Sequence, residues 1–213
     1  MNRDDFSPEI IRISAFFTGH RKVSNHEKPL ICQKVSECIS EAYESGYRRF
    51  WCGCALGFDT LAAFEIIRMK AFCPDIMLLL AIPCETQDSL WSVSDRTVYR
   101  RLMDSADEKR ILSPVYYKGA MLARNRYMAD RSSLCICWLK NMHGGTAYSV
   151  RYASRNDQIR IINLAVKDPY HAEQLRENSW NSMYISPSAK KSAVTVPLRL
   201  THRRKRIIRN IQI

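Results

Sequence analysis

Seven residues near the middle of the chain, Ile76-Met-Leu-Leu-Leu-Ala-Ile82, are apolar without interruption, and Pro83 follows at once. A strand with one face in water alternates polar and apolar residues. An unbroken run of this length fits a strand buried on both faces, the situation in a parallel sheet covered by helices above and below. Leu134-Cys-Ile-Cys-Trp-Leu139 repeats the pattern. Two strands of this kind commit the chain to a layered α/β architecture, because an uncovered face would leave leucine and isoleucine in water.

The remainder of the chain supplies the other layers. Residues 11–17 are rich in β-formers and predict the first strand; Arg48-Arg-Phe-Trp-Cys52 predicts the second. Residues 109–113 predict a short peripheral strand, and Arg160-Ile-Ile-Asn-Leu164 the last. Between the strands, apolar residues return at helical spacing. Pro29 opens one helix, with Ile31, Val35, Cys38, Ile39 and Ala42 on one side and Gly46 beyond its end. A second runs from Asp59 to about Phe72, and helical stretches are expected at 86–91 and 94–106. Another covers 118–132, with Arg124, Asn125, Arg126, Asp130 and Arg131 on its exposed side, and the last covers 147–154. This alternation predicts an open, doubly wound, mainly parallel sheet with helices on both faces. It forms one domain over residues 11–166, after an N-terminal tail of residues 1–10. Residues 167–213 form a polar, then basic, extension, and Val194 to Leu200 could add one strand.

Composition narrows the setting. No apolar run approaches the roughly 18 residues that span a bilayer, and the polar N-terminus lacks the apolar region of a signal peptide. Six of the eight cysteines sit inside apolar strand or helix patterns, as reduced thiols do, so a cytoplasmic protein is expected. Cys52/Cys54 and Cys135/Cys137 are C-x-C pairs, but they fall in or at the ends of strands rather than in the turns that usually hold zinc, and no metal site is expected. The formal net charge is +12, and Arg203, Arg204, Lys205 and Arg206 concentrate part of the excess near the C-terminus. Such a tail can hold nucleic acid weakly and without sequence preference, or can simply be solvated.

In doubly wound sheets ligands lie outside the carboxyl ends of the strands. Three turns fall on that rim: Thr18-Gly19-His20-Arg21, Gly53 to Thr60 with Gly57 and Asp59, and the turn ending in Gly144-Gly145-Thr146. Glycine admits a close approach of backbone to ligand, and free N–H groups at a helix start attract anions. Together the turns predict a pocket for a nucleotide-like ligand. At His20 two readings stand, a cation for an anionic ligand or a turn residue bonded to backbone. At Asp59 two stand as well, a ribose contact or a first-turn residue favoured by the helix dipole.

Four segments coincide in order: Thr18-Gly-His-Arg21, Gly53-Cys-Ala-Leu-Gly-Phe-Asp-Thr60, Arg124-Asn-Arg-Tyr-Met-Ala-Asp-Arg-Ser132 and Gly144-Gly-Thr-Ala-Tyr-Ser-Val-Arg-Tyr-Ala153. In this combination the chain, from Ile11 to Leu164, resembles the YpsA-like family of the SLOG superfamily, named for the DprA/Smf DNA-processing proteins and the LOG phosphoribohydrolases. The resemblance implies a Rossmann-like fold in a largely bacterial family. It also implies a pocket for a nucleotide or nucleotide-derived ligand such as ADP-ribose or NAD, lined or shaped by Gly19, Arg21, Gly53, Gly57, Asp59, Arg124, Asn125, Gly144, Gly145 and Thr146. Thr18, His20 and Thr60 lie within the same segments.

The LOG hydrolases carry Gly-Gly-x-Gly-Thr-x-x-Glu, whose carboxylate supports chemistry at the ribose. Here Ser149 stands three residues after Thr146, where that glutamate would be. Cleavage through an oxocarbenium-like state calls for a carboxylate near the sugar. The expectation is therefore a sensor or regulatory binding module rather than an enzyme, and a homodimer is possible. One alternative is a LOG-like phosphoribohydrolase using Asp59 and Arg124. Another is a DprA-like DNA-associated protein.

Overall fold

A computed structural model describes residues 7–166. Residues 1–6 and 167–213 lie outside the described part, and with them the basic cluster Arg203 to Arg206 and the candidate strand from Val194 to Leu200. Six strands form one sheet: β1 (Ser14–Gly19), β2 (Arg49–Cys52), β3 (Met77–Ile82), β4 (Glu108–Ile111), β5 (Leu134–Trp138) and β6 (Arg160–Asn163). Every pairing is parallel, and the order is β4-β3-β2-β1-β5-β6. Helices α1 (Pro8–Arg12), α2 (Lys28–Glu44), α3 (Phe58–Met69), α4 (Val93–Ser105), α5 (Ala120–Ala129) and α6 (Gly144–Ala153) alternate with them.

The strands divide their side chains between two layers. Ala15, Phe17, Phe50, Leu78, Leu80 and Ile136 pack with apolar residues of α2, α3 and α4, while Phe16, Trp51, Leu79 and Cys135 pack with those of α5 and α6. Aromatic contacts mark both layers. Phe17 stacks on Phe50 at 5.9 Å between ring centroids, and Trp51 meets Tyr127 edge-on at 5.5 Å. The C-x-C pairs are split by the sheet: Cys52 and Cys54 belong to the first layer, Cys135 and Cys137 to the second.

The strand order reverses between β1 and β5. Residues leaving β1 at Gly19 and β5 at Trp138 are direct register partners, so the first and last of the three candidate turns flank the switch point. No described helix is long and apolar enough to cross a membrane.

Three expectations need correction. Residues 11 and 12 belong to α1, and the first strand starts at Ser14. Ser7 caps α1 by accepting from the Ile10 N–H, and Pro8 sits at its first position, so the helix-start signal prevails over the isoleucines that suggested a strand. Part of the presumed N-terminal tail is thus helical. Residues 86–91 form successive turns, closed by Gln87 N–H to Cys84 O, Ser89 N–H to Thr86 O and Trp91 N–H to Asp88 O, not a helix. Ser92, which accepts from the Asp95 N–H at 3.1 Å, is the true start signal for α4. Finally, Arg124, Asn125 and Arg131 are buried, whereas Arg126 and Asp130 are exposed as expected.

Candidate functional site

At the carboxyl rim, β2 runs into Gly53 and turns toward α3. A side chain at Gly53 would collide with the guanidinium of Arg124, which lies against this backbone. The close approach that requires glycine here is made by an arginine of α5. Gly57 has φ +81°, and a Cβ there would strike the main-chain carbonyls of His20 and Arg21. The first N–H of α3, from Phe58, donates to His20 O at 3.2 Å. Thr60 closes the turn through its hydroxyl, which donates to Ala55 O at 2.9 Å. Gly19 lies under the Phe58 ring, and Thr18 is buried within β1. The second turn thus docks onto the first, and its glycines and Thr60 have internal reasons for their identity.

Arg124 organises the rim. It is only 4% exposed. Its Nη1 donates to Gly53 O and its Nε to Asn125 Oδ1 at 2.7 Å. Asn125 Nδ2 donates to Ser149 Oγ at 2.7 Å, and the Ser149 hydroxyl donates to Gly145 O at 2.8 Å. From the other side, Gln87 Nε2 donates to Cys54 O at 3.0 Å and Gly53 O at 3.4 Å. One connected network of hydrogen bonds, meeting at Gly53 O as a shared acceptor, therefore joins the turn after β3, the turn after β2, α5 and the start of α6. Gln87 Oε1, on the same side chain, is buried without a partner.

Asp59, in the first turn of α3, is buried beneath the same rim. Burial raises its carboxyl from the ordinary value to about 6, against the opposing pull of Arg124 and of the backbone amides of Ala55 and Gly19. Burial also lowers the Arg124 pKa, and the nearby Asp59 carboxylate works against that shift. Arg21 is exposed, within electrostatic reach of both.

In the structure His20 makes the backbone contacts of the second reading. Its Nε2 accepts the N–H of Lys140 at 2.9 Å and that of Asn141 at 3.3 Å, so the ring clips the turn after β1 to the turn after β5. An acceptor at Nε2 requires the neutral ring with its proton on Nδ1. Desolvation, and secondarily the Lys140 charge, lower its pKa accordingly. Beside this clip, Lys140 pairs with Glu27 at 2.6 Å. The folded pKa of His20 lies below the unfolded one, so its contribution to stability is complete above about pH 6.5. That contribution is lost as pH falls through the folded value. Melting curves from about pH 7.5 down to about pH 5 should show this loss. His20→Gln, which cannot titrate, should lack it; equal slopes in both proteins would refute the clip.

The third turn differs from the other two. His143 precedes α6 without a side-chain cap. Gly144 has φ +82°, which accounts for glycine there. Gly145 has no positive φ, and a Cβ on it would meet nothing within 4 Å, so the protein's own packing does not demand glycine at this position. Thr146, in the first turn of α6, is 7% exposed, and its hydroxyl makes no hydrogen bond among the described residues. Uncapped N–H groups, a glycine with free space before it and an unspent hydroxyl are thus held together at the switch point.

Of the predicted residues, Arg124, Asn125, Gly53, Gly57, Asp59 and Thr60 are drawn into the internal framework, while Gly144, Gly145, Thr146 and Arg21 present open groups. Sequence reasoning missed Gln87, which carried no motif, and the Glu27–Lys140 pair, whose members are 113 residues apart.

Comparison with known proteins agrees with this architecture. The model of the YspA SLOG family (YpsA) matches residues 16–170. The uncharacterized SPbeta prophage-derived protein YoqJ of Bacillus subtilis is 28% identical over 133 residues, 57% of this chain and 76% of that protein. The UPF0398 protein BH1768 of Halalkalibacterium halodurans is 24% identical over 168 residues, 78% of this chain and 86% of that protein. Among solved structures, DNA processing protein A from Helicobacter pylori, described with a single-stranded DNA binding mode, has a TM-score of 0.52 at 18% identity. That match covers 80% of this chain and 75% of the other. DNA processing protein A from Streptococcus pneumoniae gives 0.50 at 16% identity, covering 78% of this chain and 57% of the other. At these identities the structural likeness concerns the fold.

Proposed function

The chain belongs to the YspA SLOG family, and from that premise we propose that it binds the phosphate end of a nucleotide or nucleotide-derived ligand, of the ADP-ribose or NAD kind, at the start of α6. In this reading it serves as a sensor or regulatory module. The observation that carries the proposal is Gly145, a glycine whose missing side chain leaves space that the fold does not use, beside the unspent hydroxyl of Thr146. A phosphate in that space meets the free N–H groups of the first helical turn and the positive end of the helix dipole. Exposed Arg21 is available as a counter-charge at the neighbouring turn.

Binding is favoured over hydrolysis by Ser149. The position where a LOG-type carboxylate would stand carries a hydroxyl that is 1% exposed and already holds Asn125 and Gly145 O. Asp59, the other candidate carboxylate, is buried in the framework.

The test is a thermal-shift panel of AMP, ADP, ADP-ribose and NAD. A ligand at about a hundredfold over its dissociation constant should raise the melting temperature by about 5–10 °C. Gly145→Ala should leave the ligand-free protein within about 0.5 kcal/mol of wild type, yet abolish the shift. No response from the folded wild type, or an undiminished response in Gly145→Ala, sinks the proposal. Release of free base from AMP would favour the hydrolase reading instead.

A second reading is nucleic-acid binding. It is supported by the net charge of +12 and by the fold shared with a protein described as binding single-stranded DNA. It predicts salt-sensitive single-strand binding that disappears when residues 201–213 are removed.

A further inference from the structure

Two buried polar groups stay unspent at the rim away from the start of α6, and both stand by Cys54. Gln87, 7% exposed, commits its amide nitrogen to the carbonyls of Cys54 and Gly53, at 3.0 and 3.4 Å, while its Oε1 has no partner. Tyr99 of α4 is also 7% exposed, packs in the same apolar layer as Cys54, and its hydroxyl makes no hydrogen bond among the described residues. Cys54, Asp88, Cys84 and Arg124 lie within electrostatic reach of that hydroxyl, and Trp91 meets the Tyr99 ring edge-on at 5.4 Å. Burial pushes the Tyr99 pKa up, so the hydroxyl stays protonated and able to donate. Among the described residues Cys54 alone has a positive φ without being glycine, at +53°. Strained backbone of this kind gathers at ligand sites, and a buried polar group without a partner calls for an explanation.

The two groups are complementary in kind. With its nitrogen held by two carbonyls, Gln87 offers Oε1 as an obligatory acceptor, whereas Tyr99 offers a donor. A ligand edge that answers both carries an amino group beside a ring nitrogen, as adenine does with its exocyclic amine and N7. Position agrees with chemistry. Gln87 bonds the turn directly after β2, and β5, which leads into α6, stands two strands away in the order β2-β1-β5, about 10 Å. A nucleoside monophosphate spans such a distance from phosphate to base. Gln87 and Arg124 share Gly53 O, so the network that reaches Gly145 O at one end holds this acceptor's own amide at the other. Residues 86–91 form single turns rather than a helix, a segment of low local stability through which an occluded acceptor can open to a ligand. We infer that Gln87 and Tyr99 read the amino-bearing base of the nucleotide whose phosphate end lies at α6. The inference rests on the phosphate site proposed above and adds to it the class of base.

Isothermal titration of the full chain with AMP and with purine riboside monophosphate, which is AMP without its amino group, tests it. Wild type should bind AMP at least about tenfold more tightly, because a site built for a hydrogen bond rejects the analogue that lacks the donor. Tyr99→Phe removes a hydroxyl that no described residue uses, so it should keep the wild-type melting temperature while weakening AMP about fivefold or more. Gln87→Met should bring the two ligands within about twofold of each other. The wild-type comparison decides the matter even where loss of the bonds to Gly53 and Cys54 unfolds that variant. Equal affinities of wild type for the two ligands would mean that water serves the acceptor, and would overturn the inference. AMP binding untouched by Tyr99→Phe, or full discrimination by a folded Gln87→Met, would do the same. In each of these cases a thermal shift lost in Gly145→Ala leaves the phosphate site standing, whereas the two readings fall together when no nucleotide binds.

Discussion

Arg124→Ala is expected to lower the free energy of unfolding by about 3–5 kcal/mol, read from urea denaturation. Arg124 is buried, and three partners depend on it. Gly53 O would keep only the 3.4 Å bond from Gln87, Asn125 Oδ1 would lose its donor, and Asp59 would lose its nearest buried counter-charge. Each is a polar group left under-satisfied away from water, the costly side of hydrogen-bond energetics. A domain of this size holds only about 5–15 kcal/mol in all, so the loss should be visible as a large fall in the denaturation midpoint. Arg124→Lys should recover little, because an ammonium keeps the charge but not the planar fork that serves Gly53 and Asn125 at once. Arg124→Met, which refills much of the volume without donors, should remain well below wild type. A loss under about 1 kcal/mol for Arg124→Ala would mean that the guanidinium does not hold the rim together.

The contrast between what the sequence reveals and what it hides is clearest around this arginine. The strands from Met77 and from Leu134 are legible because burial on both faces leaves an unbroken apolar signature. The placement of the three turns on one rim follows from the parallel order alone. Arg124, Asn125 and Arg131 read as surface residues because charge and polarity usually mean exposure. They are buried because their partners are satisfied there: Arg124 by a carbonyl 71 residues away, Asn125 by Ser149, and Arg131 by the carbonyl and ring face of Tyr127. Long-range pairings of this kind leave no local period in a single sequence. The glycines divide along the same line. Gly-rich turns were legible as turns, but whether each glycine serves the fold or a ligand depends on the atoms facing it. Gly53 faces Arg124, Gly57 faces two carbonyls, and Gly145 faces open space.

Asp59→Asn should change how stability depends on pH. In the folded protein burial holds the Asp59 pKa at about 6, above its ordinary value of 3.8. Between those values the folded state keeps a proton that the unfolded state has released. The contribution is therefore fully present below about pH 3.8 and is lost as pH rises through about 6, amounting to about 3 kcal/mol across the window. His20 works in the opposite direction in part of this range, but it is common to both proteins and cancels in their difference. The stability advantage of wild type over Asp59→Asn should accordingly shrink by about 3 kcal/mol between about pH 4 and about pH 7. Parallel profiles would remove the argument that Asp59 is a buried, proton-holding clamp. The same variant separates its two possible roles. A ribose contact needs a carboxylate turned to the ligand, whereas this one is 5% exposed and engaged by the amides of Ala55 and Gly19. Asp59→Asn should therefore keep the nucleotide-induced thermal shift that Gly145→Ala loses. If the shift vanishes while the ligand-free protein stays folded, Asp59 reaches the ligand, and the boundary between framework and site moves inward to include the first turn of α3.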